Sequence, residues 1–235
     1  MSLLTIAQTA APRIGLPVPN AAASSSDSNI QQLVAFINEE GQELGNRHPW
    51  QIMRNEATFN TVAAASQGTI TTIASPNFGY IWNETIWNRT QRRPIFGPKS
   101  PSEWQQLQAQ FVQGPWYQYV IRANLILFTP VPVAGNACYF EWQSTAWCAS
   151  SGGTGQTSMV LDTDVGLIDE RLLTLGAVWR FRQAKGLEYA AASEKYEAAV
   201  ADAMARDGGK PILSMTGARV AVQPGVFVPA GNWGT

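Results

Sequence analysis

The stretch that decides the fold is residues 162–209, DTDVGLIDERLLTLGAVWRFRQAKGLEYAAASEKYEAAVADAMARDGG, and it predicts two helices. Asp162, Thr163 and Asp164 are N-cap candidates, and a helix N-terminus favours their negative charge. Apolar residues then recur at i, i+4, i+7 and i+11, the stripe of an amphipathic helix: Ile168, Leu172, Leu175 and Trp179. Lys185 and Gly186, a cation followed by glycine, predict the end of this helix.

The second helix of this stretch is predicted to begin at Leu187 and to end at Gly208 and Gly209. Its stripe is made of small and aromatic residues: Tyr189, Ala192, Tyr196, Ala199 and Ala203. Because the connection between the two helices is short, they are expected to form an antiparallel hairpin.

Several segments of the chain, taken in order, resemble one known family. They are SLLTIAQTAAPRIGLPVP and LVAFINEEGQELGNRHPWQIM near the start, WNRTQRRPIFGPKSPSEW in the middle, and LLTLGAVWRFRQAKGLEYA and YEAAVADAMARDGG towards the end. The resemblance is to the head-to-tail adaptor proteins of tailed bacteriophages, also called head-completion or tail-tubular-like proteins. It covers most of residues 1–209 and no part of 210–235.

The composition is low in charge and rich in aromatic residues. Only 14% of the 235 residues are charged, against about 25% in an ordinary soluble protein. The chain has nine Trp and nine Phe, and aromatic residues are enriched at interface cores. Burial against partner proteins and a large aromatic core both account for this composition, and the two explanations are compatible.

The predicted fold class is α+β: a helical bundle with an inserted β-rich module and an extended C-terminal arm. Residues 1–55 hold two helices, and Ser28 with Gln31 fits a capping box for the second. Residues 56–160 are β-rich, because ATFNTVA, GTITTIAS, YQYVIRANLILFTP and ACYFEWQSTAWCA carry strand-forming residues. Within this module, SPSEWQQLQAQF predicts a short helix with Ser102 near its cap. The C-terminal hairpin, 161–209, is expected to pack on the N-terminal helices.

Residues 210–235 are predicted to form an extended arm. The segment contains Lys210 and Arg219 but no acid, and valines alternate around Pro224 and Gly225. Such a segment buries too little surface alone to offset its ordering entropy. Phe227 and Trp233 are therefore expected to anchor the arm on a partner, with Lys210 as a contact at the rim.

No residue set in the sequence predicts catalysis, a cofactor or a metal. His48 is the only histidine, and beside Pro49 and Trp50 it is best explained as a turn or packing residue. A zinc site requires about four ligands, and His48, Cys138 and Cys148 are too few and too scattered. The two cysteines are expected to be buried, reduced thiols. The acids of the β-rich segment (Glu84, Glu103, Glu141) show no paired arrangement, which argues against a cell-wall hydrolase.

One cluster combines cations with aromatic side chains, and it consists of Trp87, Arg89, Arg92, Arg93, Phe96 and Lys99. It could contact nucleic-acid phosphates, pair with acidic groups of a neighbouring subunit, or be a solvated loop. The net charge of −1 argues against strong duplex binding, so the subunit interface is preferred.

The resemblance implies a structural virion protein without enzymatic activity. It implies a dodecameric ring that joins the portal protein to the tail or nozzle protein and leaves an axial channel, through which DNA passes without specific binding. With no signal peptide and no membrane span in the sequence, the expected site of synthesis is the host cytoplasm and the expected location is the virion neck. The alternative is a carbohydrate-binding module that uses exposed Trp residues of the β segment.

Overall fold

The computed structural model describes residues 2–109, 114 and 116–208, and in this part of the chain the fold is mixed α+β, as predicted. The described α-helices are α1 (Leu3–Ala10), α2 (Ser28–Arg47), α3 (Ile70–Ile73), α4 (Pro101–Ala109), α5 (Glu170–Ala184) and α6 (Ala190–Asp207). One 3-10 turn, Ala11–Ile14, extends α1, and another, Gln51–Met53, follows α2.

The larger of the two described hydrophobic cores lies among α1, α2, α5 and α6. Helix α5 contacts each of the other three, and it buries most of its residues from Leu172 to Phe181. Trp147 is fully buried in the same core, together with Cys148 and Met159. These three residues come from the predicted β-rich segment, so this segment contributes side chains to the helical core.

The described strands are short and antiparallel, and they form three sheets. The strands are β1 (Arg54–Asn60), β2 (Ser66–Thr69), β3 (Phe78–Ile81), β4 (Trp87–Asn88), β5 (Arg93–Pro94), β6 (Gln118–Arg122), β7 (Leu125–Thr129), β8 (Ala137–Ser144), β9 (Cys148–Ala149), β10 (Gly155–Gln156) and β11 (Val165–Gly166). The largest sheet has the order β1-β8-β4-β5, with β3 also paired to β8. The others have the orders β2-β7-β6 and β10-β9-β11.

A second core fills the space between the largest sheet and the β2-β7-β6 sheet. Tyr119, Ile126, Phe128 and Phe140 are almost fully buried there. In the first half of β7 and of β8 the buried residues alternate with more exposed ones, the period-2 pattern expected of strands with one buried face. This core supports the surface on which the β4–β5 segment lies.

The predicted N-cap of the C-terminal hairpin is wrong by several residues. Helix α5 begins at Glu170, and the Asp169 carboxylate caps it by accepting from the Arg171 N–H at 2.9 Å. Asp162 instead accepts from the amides of Ala22 and Ala23. Asp164 is fully buried and accepts from the backbone N–H groups of Val160 and Leu161, so both acids hold loops rather than the helix.

Three further local predictions are corrected by hydrogen bonding or backbone conformation. Asp27, not Ser28, caps α2, and the Gln31 amide donates to the Ser25 carbonyl oxygen instead of closing a capping box. At α4 the capping pair is Ser100 with Glu103, each of which accepts from the backbone N–H of the other. The GTITTIAS segment is a strand only up to Thr69, because residues 70–73 then make one turn of helix.

The prediction of buried, reduced cysteines is confirmed. Cys138 and Cys148 are both free thiols with no solvent exposure. Burial raises the pKa of each to about 12, so neither is a thiolate at neutral pH.

Candidate interface surfaces

The predicted cation–aromatic cluster lies on the outer edge of the largest sheet. Strand β4 carries Trp87 next to Tyr139 of β8, and β5 pairs with the other side of β4. The turn between β4 and β5 contains Arg92 in a left-handed conformation, with φ of 56°. The side chains of this turn are exposed, so the sheet displays rather than buries them.

Arg89 is the member of this cluster with partners inside its own chain. Its guanidinium forms an ion pair with Glu56 of β1 and lies over the ring of Tyr139, 3.5 Å from the centroid. Sequence reasoning grouped Arg89 with Arg92 and Arg93. The structure separates them, since among the described residues neither Arg92 nor Arg93 has a carboxylate partner.

Arg93 and Phe96 form a second group around a residue that sequence reasoning did not select. Trp116 lies 5.9 Å from the Phe96 ring in an edge-to-face arrangement, and the Arg93 guanidinium lies 5.5 Å from the Trp116 ring. Phe96 and Trp116 are 45% and 44% exposed, and Trp87 is 37% exposed. Lys99 is half-buried and its backbone N–H donates to the Tyr119 carbonyl oxygen. Exposed aromatics next to arginines are typical of protein-binding surfaces.

Three carboxylates of the β-rich part line one cavity of about 280 Å³ beside Arg89, although the sequence showed no pairing of acids. They are Glu56, Glu84 and Glu141. Glu56 is bound by Arg89, and Glu141 lies 3.8 Å from Arg54. Because two of the three carboxylates are neutralised by arginines, the group is an ion-pair network rather than an acid–base pair.

A second charged cluster, not anticipated from the sequence, joins α2, α5 and α6. Glu40 is fully buried and accepts from Arg180 Nε at 2.9 Å and from the Tyr196 hydroxyl. Arg180 also binds Glu39 and Glu43, which precede and follow Glu40 along α2. Burial raises the pKa of Glu40, while the hydrogen bonds from Tyr196 and Arg180 lower it in part. The spacing of Glu43 from Glu39 (i, i+4) and from Glu40 (i, i+3) was the signal available in the sequence.

Three of the predicted partner contacts, Lys210, Phe227 and Trp233, lie outside the described residues. The remaining tryptophans bear on the alternative of a sugar-binding module. Among the tryptophans that the structure describes, Trp50, Trp104, Trp142 and Trp147 are buried, and only Trp87 and Trp116 are exposed. Of the six tryptophans within residues 56–160, three are buried, Trp82 is half-buried, and two are exposed.

The described residues contain no cluster of three or more His, Cys, Asp or Glu side chains placed to hold a metal ion. Over the same residues, no helix combines the length and apolar character needed to span a bilayer. The exposed rings of Trp87, Phe96 and Trp116 beside Arg92 and Arg93 have the character of a surface that binds other proteins.

Comparison with known families shows the family to which the chain belongs. The SU10 adaptor protein family matches residues 1–223, nearly the whole chain. The chain therefore belongs to this family of phage head-to-tail adaptors, as the resemblance predicted. Membership supports a structural, non-enzymatic role in the virion neck, in association with other head and tail proteins. No curated protein sequence matches the chain.

Proposed function

We propose that the protein assembles as a dodecameric ring between the portal and the tail, with an axial channel through which DNA passes without specific binding. The observation that carries this proposal is the match of the adaptor family over residues 1–223. The near-neutral net charge of −1 supports passage of DNA without tight retention, because a strongly basic channel would hold phosphates.

The cation–aromatic cluster is the proposed contact with a neighbouring subunit. Trp87, Phe96 and Trp116 offer exposed rings, and Arg92 and Arg93 have no carboxylate partner among the residues described. A neighbour with acidic groups would satisfy both arginines, and its apolar groups would cover the rings. Arg89 contributes through its ring contact with Tyr139, which presents a fixed edge to that neighbour.

The proposed role of each part of the chain follows the predicted domains. Residues 1–55 and 161–209 form the helical part of each subunit, and residues 56–160 form the β-rich part with the central loop. Residues 210–235 act as an arm that binds the portal or an adjacent subunit through Phe227 and Trp233, with Lys210 at the rim.

The ring is tested by measuring the mass and symmetry of the assembly. Size-exclusion chromatography with light scattering is done on the protein alone and after adding the portal protein of the same phage. Cryo-electron microscopy class averages then give the rotational symmetry. A closed ring with a central hole, alone or on the portal, is the expected result. A protein that stays monomeric with portal present contradicts the proposal.

A further inference from the structure

The helical part of the subunit displays two oppositely charged surfaces on opposite sides of α5. Arg180 points towards α2, where it binds Glu39, Glu40 and Glu43. Arg182 is two residues further on, which is about 200° around the helix. It contacts the other neighbour, the 3-10 turn that follows α1, by donating to the Arg13 carbonyl oxygen at 3.1 Å.

The first surface, the cationic groove, lies on the Arg182 side. It is a cavity of about 480 Å³ lined by Arg13, Leu175, Val178, Arg182, Ala191, Ala192 and Lys195. Its floor is apolar, its three charged lining residues are all cations, and its lining includes no acid. No ion pair neutralises any of these cations within the part of the chain that the structure describes. The exposed Leu187 and Tyr189 directly precede its α6 wall.

The second surface, the acidic ridge, is formed by Glu39 and Glu43 on α2. Their side chains are 57% and 51% exposed although both bind Arg180. Even with buried Glu40 left aside, two exposed carboxylates share one guanidinium, which leaves a net negative charge. Each carboxylate has about four lone-pair positions, so binding Arg180 leaves others open to a further donor. Phe36, one turn earlier on the same face of α2, is only partly buried and adds an apolar edge.

We infer that the acidic ridge of one subunit binds the cationic groove of the next, a contact between two copies of this chain. This inference rests on the proposed ring. A closed ring of identical subunits requires a head-to-tail contact between two different surfaces of the same protein. The ridge and the groove are complementary in charge and lie on opposite sides of α5, as such a contact demands. The apolar floor disfavours nucleic acid as the occupant, because phosphates gain nothing from Leu175 and Val178.

In this contact the carboxylates of Glu39 and Glu43 pair with Arg182 and Lys195, and the floor of the groove covers the Phe36 edge. Charge pairs at a partly exposed interface chiefly set register and partner choice, and the apolar contact adds affinity. The pairing would fix the angle between neighbouring subunits.

Cross-linking tests the contact directly. Equal amounts of protein with natural and with heavy nitrogen are mixed, assembled with portal protein, and treated with a zero-length carbodiimide. The expected product joins Lys195 of one copy to Glu39 or Glu43 of another, seen by mass spectrometry as peptides of mixed isotope. A ring without this product overturns the contact but leaves the proposed function standing. Absence of a ring overturns both, and a link from Lys195 to the portal protein overturns the contact.

A charge swap gives a second, independent test. The groove variant is Arg13→Glu with Lys195→Glu, and the ridge variant is Glu39→Lys with Glu43→Lys. Each alone should lose ring assembly at least tenfold, and an equal mixture should recover it, because alternating copies restore opposite charges at every contact. The control, Arg122→Glu with Arg171→Glu, reverses two exposed cations outside the groove and should assemble normally.

Folding is verified for every variant by thermal melts. If the ridge variant fails to fold, Glu39→Gln with Glu43→Gln replaces it, because the amide oxygens still accept from Arg180. This neutral pair should weaken assembly several-fold. Full assembly by the neutral pair, or a mixture that stays unassembled although both reversed variants fold, overturns the inference.

Discussion

Gly176 of α5 faces the side chain of Glu40 of α2 so closely that a Cβ at position 176 would lie 2.5 Å from Glu40 Oε2. The absence of a side chain at position 176 therefore makes the space in which a fully buried carboxylate sits. Arg180, one turn along α5, and Tyr196 of α6 bind that carboxylate. A buried charge is tolerated only when it is paired and hydrogen-bonded, so these contacts connect three helices at one point.

Replacing Gly176 with alanine should destabilise the protein although alanine favours helices. The new methyl group would overlap Glu40, and overpacking of this kind costs about 1–3 kcal/mol of unfolding free energy. Gly45→Ala is the matched control, because a Cβ there meets Met53 and Trp147 at an ordinary 3.5 Å. That variant should gain about 0.5–1 kcal/mol. Urea unfolding followed by circular dichroism compares the two, and equal stabilities would contradict this account of Gly176.

Stability should also depend on pH through Glu40. Its pKa is raised by burial, so the folded chain holds the proton more tightly than the unfolded chain. The contribution of this group is therefore fully present below its unfolded pKa and is lost as pH rises through the folded pKa. In unfolding measurements from about pH 4 to about pH 7, the wild type should lose stability relative to Glu40→Gln.

Glu197 provides a control with the opposite sign. Its hydrogen bond from Arg47 lowers the pKa of Glu197, so its contribution is present above the unfolded pKa and is lost as pH falls. The wild type should therefore gain stability relative to Glu197→Gln over the same rise in pH. If the two differences have the same sign, the environment assigned to Glu40 is wrong.

Trp179 should matter less to stability than its position on the predicted stripe implies. Full burial in the core, as its place on the stripe suggests, would make Trp179→Ala cost about 3–5 kcal/mol. In the structure Trp179 is only partly buried and its ring lies 6.0 Å from that of Tyr196, while Phe36 pairs with Phe181. We expect about 2 kcal/mol for Trp179→Ala and about 3–5 kcal/mol for Phe181→Ala in denaturant melts. A larger loss of stability for Trp179→Ala than for Phe181→Ala would mean that the Trp179 side chain faces the core.

Periodicity in the sequence predicted the elements better than their ends. The apolar spacing of Leu172 and Leu175 revealed α5, because burying one face of a helix leaves a repeating pattern. The sequence offers Asp162, Thr163 and Asp164 as N-cap candidates for α5, whereas Asp169 caps it, since all these residue types are good caps in isolation. The Asp162 carboxylate instead accepts from the backbone N–H groups of Ala22 and Ala23, which are 140 and 139 residues away. A local sequence pattern cannot predict a contact over that distance.

The candidate interface shows the same limit. Trp87, Arg92 and Arg93 were selected because they are neighbours in the chain. The fold brings Trp116, from a distant segment, into contact with Arg93. It likewise brings Glu56 next to Arg89, and the two form an ion pair. Contacts between distant segments depend on strand order, which no local pattern of residue types specifies.

Reversing the charge of Arg92 and Arg93, which have no carboxylate partner in the described part of the chain, should abolish assembly without affecting folding. In the Arg92→Glu, Arg93→Glu variant, both side chains are exposed, so circular dichroism and thermal melts should be unchanged. Ring formation should be lost, because carboxylates of the neighbour would meet like charge. Arg122→Glu, at the exposed end of β6, is the control and should still form rings. Normal rings from the double variant would show that the turn is only solvated.

Removal of the C-terminal segment should impair attachment without unfolding the subunit. Helix α6 ends at Asp207, and both described cores are built from residues before it. A chain truncated after Gly209 should therefore keep the melting temperature of the full protein. It should complete portal-bearing heads poorly, and these heads should leak DNA, because Phe227 and Trp233 would no longer anchor the adaptor. The full-length double variant Phe227→Ala, Trp233→Ala should share the defect if these rings are the anchors. Retained DNA is measured after purification of the heads, and retention equal to that with the full chain would show that the arm is dispensable.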